Sequence, residues 1–297
     1  MKHELSILIP NFNGDCRQQV VELNSQASAV EGLDYEIIVA DDGSTDPLSI
    51  AHGREIDQLP HCRFIERGFN SGRAAIRNFL ASQASREWLL FIDGDMSIPS
   101  CQFLSNYLEG DDLVVYGGYR IGYGERTCLR YVYEKANEHM HTAEQRRTRP
   151  YQHFHTSNFL VRRDVMVQHP FDERFRYYGY EDVLWGKQLR QTSIPITHID
   201  NPVGFFTFED NSQFISKTEE SLRTLHQFRD ELRGYSQILT FVDGLHSPLL
   251  RGAIRLWHRC FGSIERRWLC GNHPSLRIFK LYKLGYFITL ESNSGQN

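Results

Sequence analysis

Three short apolar runs each end in a polar turn, and this pattern limits the fold more than any other feature. Leu5 to Ile9 stops at Pro10-Asn11-Phe12-Asn13, Tyr35 to Ala40 stops at Asp41-Asp42-Gly43-Ser44, and Trp88 to Ile92 stops at Asp93-Gly94-Asp95. Apolar runs of this length without alternation read as strands buried on both faces. Between them the apolar spacing turns helical. Val20, Leu23, Ala27 and Val30 form one face; Ala75, Ile76, Phe79 and Leu80 follow a capping Ser71; Phe103, Leu104, Tyr107 and Leu108 follow Pro99. Strands alternating with helices predict an α/β fold with a mostly parallel, Rossmann-like sheet flanked by helices.

Further along, the pattern predicts a strand at Val114 to Tyr119, a long polar helix or lid at Arg126 to Arg147, and a strand at Phe154 to Val161. It then predicts helices at Glu181 to Gln191 and Ser212 to Arg233. A boundary near Ser236 divides the chain into a catalytic domain, 1–235, and a helical basic C-terminal segment, 236–297. Within that segment, His246 to Lys283 carries eight Lys/Arg against one acid, Glu265. Arg251, Arg255 and Arg259 share a helix face, while Leu249, Leu250, Trp257, Phe261, Ile264 and Trp268 occupy much of the rest. Such a pattern fits contact with an anionic membrane surface. It equally fits a helix packed on the protein with a solvated charged face.

The 297 residues, 40% hydrophobic and 24% charged, are enough for one large core plus an appendage. The formal charge of -4 gives no footprint for nucleic acid. Six scattered cysteines lack metal-knuckle or Cys-x-x-Cys spacing and read as reduced thiols of a cytoplasmic protein. Met1-Lys2-His3-Glu4 enters the first strand without the apolar region of a signal peptide, and no apolar run is long enough to span a membrane.

The three polar turns all follow parallel strands, and open α/β sheets bind ligands in the crevice outside those strand ends. Asp93-Gly94-Asp95 can present two carboxylates to one hard cation, Mg²⁺ or Mn²⁺, whose shell substrate phosphates and water complete. Taken alone, Asp-Gly-Asp is also an ordinary surface turn. Asp41-Asp42 could cap a helix or aim a carboxylate at a nucleotide base. Glu181-Asp182 opens a helix beside Tyr177, Tyr178 and Tyr180. Acids there suit the helix dipole, and one of them could serve as a general base.

These residues in this order resemble the family 2 inverting glycosyltransferases of GT-A fold. The matching elements are Ser6-Ile-Leu-Ile-Pro-Asn-Phe-Asn13, Glu36 to Asp46, Asn70 to Asn78, Leu90 to Asp95, and Phe171 to Asp182. The resemblance covers roughly residues 5 to 230. It implies transfer of a sugar from a nucleotide diphosphate, UDP above all, to an acceptor hydroxyl, in bacterial surface polysaccharide or glycan assembly. Pro10 and Phe12 would line the nucleoside site, Asp42 would contact the base, and Gly72-Arg73 would lie near base and diphosphate. Asp93 would meet ribose or metal, Asp95 would bind the metal, and Asp182 would be the catalytic base, with Glu181 helping to hold the acceptor. Asn158 falls in the segment bordering donor sugar and acceptor. The acceptor would be a glycan; a lipid-linked glycan would give the basic C-terminal segment a purpose, with the enzyme cytoplasmic or peripheral on the inner membrane face.

One element departs from the family. After Asn201-Pro202-Val203 a metal-binding histidine is expected, but Gly204-Phe205-Phe206 stands there. His198 is the substitute candidate ligand; His153 and His155 read better as polar groups on the acceptor side. Two other readings compete. A sugar-nucleotide pyrophosphorylase would carry a glycine-rich basic loop after the first strand, which Asn11 to Asp15 is not. A catalytically inactive nucleotide-sugar-binding or partner-binding module would not need the acids at 93, 95, 181 and 182.

Overall fold

The computed structural model describes residues 1–294, with side chains as far as Glu291. The chain forms two compact units. The first comprises residues 1–122, 139–176 and 181–206; the second comprises 123–138, 177–180 and 207 onward.

The first unit begins β1 (Glu4–Asn11), α1 (Arg17–Ser28), β2 (Asp34–Asp41), α2 (Pro47–Glu55), β3 (Cys62–Glu66), α3 (Arg73–Gln83), β4 (Trp88–Ile92) and α4 (Phe103–Leu108). Next come β5 (Val114–Tyr116) and β6 (Tyr119–Ile121), then α5 (Leu129–Asn137) of the second unit. The first unit resumes with α6 (Ala143–Thr148), β7 (Asn158–Arg162), α7 (Arg163–Gln168), α8 (Glu181–Gln191), β8 (Thr197–His198) and β9 (Val203–Phe205).

Seven strands form one sheet in the order β3-β2-β1-β4-β7-β5-β8. β3, β2, β1 and β4 run parallel, so the turns after β1, β2 and β4 share one edge of the sheet. β7 is antiparallel to both β4 and β5. β6 and β9 make a separate parallel pair.

Both faces of the sheet are covered, which explains the continuous apolar runs. Leu5, Ile7, Ile9, Leu90 and Ile92 pack with Val20, Leu23, Phe103 and Leu104 of α1 and α4. Leu8, Ile38, Leu89 and Phe91 pack with Ala74, Ile76 and Leu80 of α3 and Trp185 of α8. Each such large side chain contributes roughly 1.5–3 kcal/mol by leaving water. Fully buried Trp185 also donates its indole N–H to the His169 carbonyl (2.7 Å), which anchors the start of α8 to the core.

Several expected elements fall differently. α2 and β3 have no counterpart in the expected pattern; edge strand β3 buries only Phe64. α3 is capped by Gly72 without a side-chain bond, while the Ser71 hydroxyl goes to Asp42. The helix expected from Pro99 begins at Phe103. The strand expected over Val114 to Tyr119 breaks at Gly117-Gly118 into β5 and β6. Arg126 to Arg147 holds α5, a 3-10 turn at Glu138–His141 and α6 rather than one helix.

The second unit is helical. With α5 it contains α9 (Asn211–Gln227), α10 (Arg229–Leu232), α11 (Gln237–Asp243), α12 (Pro248–Leu269) and α13 (Leu276–Ser294). Ser212 to Arg233 is therefore two helices, not one. Asp210 caps α9 through the Gln213 amide, and Ser247 with Pro248 starts α12. Leu129, Phe214, Ile215, Leu269, Phe279 and Tyr282 form its core. The described part of segment 236–297, residues 236–294, lies in this unit together with α5, α9 and α10.

Candidate active site

The turns after β1 and β2 are tied into one rigid rim. The Asn13 side-chain oxygen accepts from the amides of Thr45 (2.8 Å) and Asp46 (3.0 Å), and the Asn13 amide donates to the Ser44 hydroxyl (2.7 Å). Fully buried Asp41 holds the same turn through the Ser44 amide (2.8 Å) and hydroxyl. Pro10 sits half-buried at the strand end, and Phe12 is 49% exposed beyond it. An exposed aromatic on a fixed rim can cover a flat ring.

Asp42 fixes the loop that leads into α3. Its carboxylate accepts from the Ser71 hydroxyl (2.7 Å), the Ser71 and Gly72 amides (3.0 Å each) and Arg67 (3.2 Å). In this conformation Asp42 shapes the Gly72-Arg73 loop, and its oxygens are engaged within the chain. Gly72 has φ +90°, and a Cβ there would lie 2.6 Å from the Arg176 carbonyl oxygen, so the turn requires glycine. Arg73 follows, exposed, at the first residue of α3.

One turn into α3, Arg77 points into the protein and is 1% exposed. It meets Asp93 at 2.5 Å and Glu181 at 3.5 Å. This guanidinium connects the turn after β4 to the first residue of α8, the two acidic elements that the sequence separates by almost 90 positions. Glu181 is only 4% exposed. It therefore has no surface to offer an acceptor, which corrects the holding role expected for it. Burial and the neighbouring Asp182 charge push the Glu181 carboxyl above the usual carboxylate range, against the pull of Arg73 and Arg77.

Asp182 stands at the more open position. One oxygen accepts the Val183 amide (2.7 Å) and the other lies 3.1 Å from His155 Nδ1. Burial alone would raise its pKa. The His155 bond and charge, the Val183 amide and Arg77 outweigh that and hold it below the usual range. Adjacent carboxylates are thus pushed apart, Glu181 upward and Asp182 downward. α8 reaches the 151–155 segment closely because Gly186 replaces a side chain: a Cβ there would meet the Tyr151 oxygen at 2.3 Å. Behind His155 lie Tyr119 and His141, whose hydroxyl and Nε2 are 3.1 Å apart. Burial, then His155 and Arg146, push His141 down to about 3, so it stays neutral.

Asp95 is exposed at the tip of the turn. Among the described residues no group of three or more His, Cys, Asp or Glu side chains gathers as a self-sufficient metal site would require. Asp95, with the Asp93 oxygen not bound to Arg77, fits the partial shell of a cation that arrives with a diphosphate. His198 does not join them. It is 2% exposed, its Nε2–H donates to the Pro150 carbonyl (2.9 Å), and its Nδ1 accepts from Arg146 (3.2 Å). Burial, with Arg146 nearby, pushes it down to about 4. Both ring nitrogens are engaged, so His198 is a structural histidine and not a metal ligand. Asn158 is likewise fully buried, bonding the Asn201 carbonyl at 3.0 Å, and lines no open surface.

Sequence reasoning missed Arg77 and Arg146 and did not pair His155 with Asp182. Arg77 had a signal: it shares a helix face with Ala74 and Ala81, where a cation is out of place unless an acid meets it. Arg146 had none; it is 2% exposed and holds the carbonyls of Gly117 (3.0 Å), Ile199 (2.8 Å) and Tyr116 (3.2 Å) at the strand ends.

The sheet of the first unit is that of the GT-A glycosyltransferases. The chain is similar in fold to the mannosyltransferase PcManGT from Pyrobaculum calidifontis, solved with GDP-Man and Mn²⁺. The TM-score is 0.59 at 13% identity over 97% of this chain and 86% of that one. S. aureus TarS 1-349, solved with UDP-GlcNAc, gives 0.51 at 14% identity over 98% and 92%. Glucosyl-3-phosphoglycerate synthase from Mycobacterium tuberculosis, solved with phosphoglyceric acid, gives 0.50 at 16% identity over 77% and 80%. No curated protein matches the sequence. At these identities the structures share the fold, and the family rests on the sequence: the profile of glycosyl transferase family 2 matches residues 6–169. The chain belongs to glycosyl transferase family 2 and is a glycosyltransferase.

Proposed function

We propose that this glycosyltransferase is inverting and metal-dependent, and that it moves a sugar from a UDP-sugar to a hydroxyl of a glycan or lipid-linked glycan. The reaction would serve bacterial surface polysaccharide or glycan assembly from the cytoplasmic side. The observation that carries this reading is the Arg77 link, which sets the Asp93 turn and the Glu181-Asp182 helix start beside one another. The nucleotide sugars in the solved structures of similar fold support it.

In this reading Pro10 and Phe12 flank the base, and Asp42 acts through the Gly72-Arg73 loop that it holds against base and diphosphate. Asp93 lies toward the ribose, oriented by Arg77, and Asp95 with Asp93 would hold Mn²⁺ or Mg²⁺. That cation would neutralise charge on the departing diphosphate. Asp182 is the only one of the two α8 acids with access, and its low pKa keeps it ionised at neutral pH. It takes the acceptor O–H proton while that oxygen attacks the anomeric carbon; the carbon–phosphate-oxygen bond breaks, and its electrons leave on the diphosphate. Attack opposite the leaving group inverts the configuration. His155 holds the Asp182 carboxylate in place at 3.1 Å.

A panel of UDP- and GDP-sugars, assayed for nucleotide release with and without Mn²⁺, tests the reading. Metal-stimulated release of UDP from one donor is the expected result. Tight nucleotide binding with no release from any donor and acceptor would instead leave an inactive binding module.

A further inference from the structure

We infer that α12 is a docking face for an anionic lipid surface. It spans 22 residues, about 33 Å at the α-helical rise. Its buried residues are Gly262, Glu265 and Leu269, which share one side. At 100° per residue the side facing away carries Leu249, Leu256, Trp257 and Ile264, with Trp268 at its margin. These five are 87%, 64%, 47%, 60% and 55% exposed, respectively. The apolar face therefore points outward, which is not the arrangement of a packed helix with a solvated polar face. Both indole N–H groups are already satisfied, Trp257 by Glu265 (2.8 Å) and Trp268 by the His273 carbonyl (3.0 Å). What remains exposed on the rings is apolar, and an exposed apolar face of this kind, with Arg267 in line with Leu249 at its C-terminal end, marks an interaction site.

Charge selects the occupant. Arg259 and Arg267 on α12, and Arg277 and Lys280 on α13, are exposed. The one acid between His246 and Lys283 is Glu265, which is buried. A second copy would bring the same cations together with no exposed acid from this stretch to pair them. A bilayer with anionic headgroups offers acyl chains for the apolar face and phosphates for Arg259 beside it and for the long side chain of Arg267, which can reach up to the headgroups. No helix among the described residues is long and apolar enough to cross a membrane, so the helix would lie in the interface plane.

Flotation of the full-length protein with phosphatidylcholine vesicles, with and without phosphatidylglycerol, tests the inference without requiring any donor or activity. The wild type should float with the anionic vesicles, less so as salt rises, and stay unbound to the neutral ones. Leu256→Glu/Ile264→Glu should weaken binding by at least about tenfold, since two apolar side chains lose their burial. Arg259→Gln/Arg267→Gln should weaken it on anionic vesicles and flatten the salt dependence. Circular dichroism checks that both variants remain folded. Wild-type protein that stays unbound on anionic vesicles, or that binds as well with both glutamates in place, overturns the inference. A dimer dissolved by those glutamates, with no vesicle binding, makes a second copy the occupant and overturns it too.

Discussion

Replacing Arg77 with methionine keeps most of the side chain's bulk and removes the cation between Asp93 and Glu181. Asp93 has 18% of its side chain exposed and can recover solvation, whereas Glu181 has 4% and cannot. Removing one partner of a buried ion pair costs about 3–5 kcal/mol when the other charge is left uncompensated; Arg73 still acts on Glu181, which sets the expected loss at the lower end. For a cooperative unit of roughly 200 residues this lowers Tm by about 10 °C. The loss should depend on pH. Glu181 is already pushed above the usual carboxylate range, and without Arg77 it rises further. A group whose folded pKa is raised stabilises below its unfolded pKa and loses that contribution as pH rises through the folded value. Thermal melts should therefore show a larger deficit for Arg77→Met at pH 8 than at pH 5. Glu181→Gln in the same background should recover part of it, since the neutral amide no longer needs a cation. A deficit under about 1 kcal/mol, independent of pH and unmoved by the second substitution, would refute the reasoning.

Four further outcomes are expected. Asp182→Asn should cut transfer by about 10²–10⁴-fold while leaving donor affinity near wild type, as read by steady-state kinetics beside calorimetric titration. His155→Phe removes the bond and charge that hold Asp182 low, so the acid limb of the kcat–pH profile should move to higher pH with donor affinity unchanged. Gly72→Ala forces a left-handed φ on alanine and meets the Arg176 carbonyl oxygen; chemical denaturation should show a loss of about 1–3 kcal/mol. Lys283 is pushed down to about 8 by burial, then by Lys280. A depressed folded pKa gives stability that is present above the unfolded pKa and lost as pH falls through the folded one. Melts of the wild type should therefore gain stability from pH 8 toward pH 10 relative to Lys283→Met, by up to roughly 3 kcal/mol.

The parts of the fold legible in the sequence are those whose burial leaves a one-dimensional trace. β1, β2 and β4 lie inside the sheet with both faces covered, so their central stretches, Ile7 to Ile9, Ile37 to Ala40 and Trp88 to Ile92, are unbroken apolar runs. β3 lies at the edge and alternates too weakly to read. The antiparallel insertion of β7 between β4 and β5 leaves no trace, because a strand's apolar pattern does not encode its direction. The site divides in the same way. Asp93, Asp95 and Asp182 stand out as candidates in the sequence because acids at strand or helix ends are chemically conspicuous. Arg77 and the His155–Asp182 pair do not, since each matters only through a neighbour distant in sequence. In the sequence His198, a histidine at a strand end, looks available as a ligand; Arg146 and Pro150, which occupy its nitrogens, are about fifty residues away.

Proton NMR of the anomeric signal during reaction of a turned-over nucleotide sugar with Mn²⁺ tests the central claim most directly. Wild-type enzyme should first release or transfer the sugar with the anomeric configuration opposite to that of the donor, and Asp182→Asn should show almost none of that signal on the same time scale. A first product that retains the donor's configuration, or turnover in Asp182→Asn equal to wild type, would contradict it.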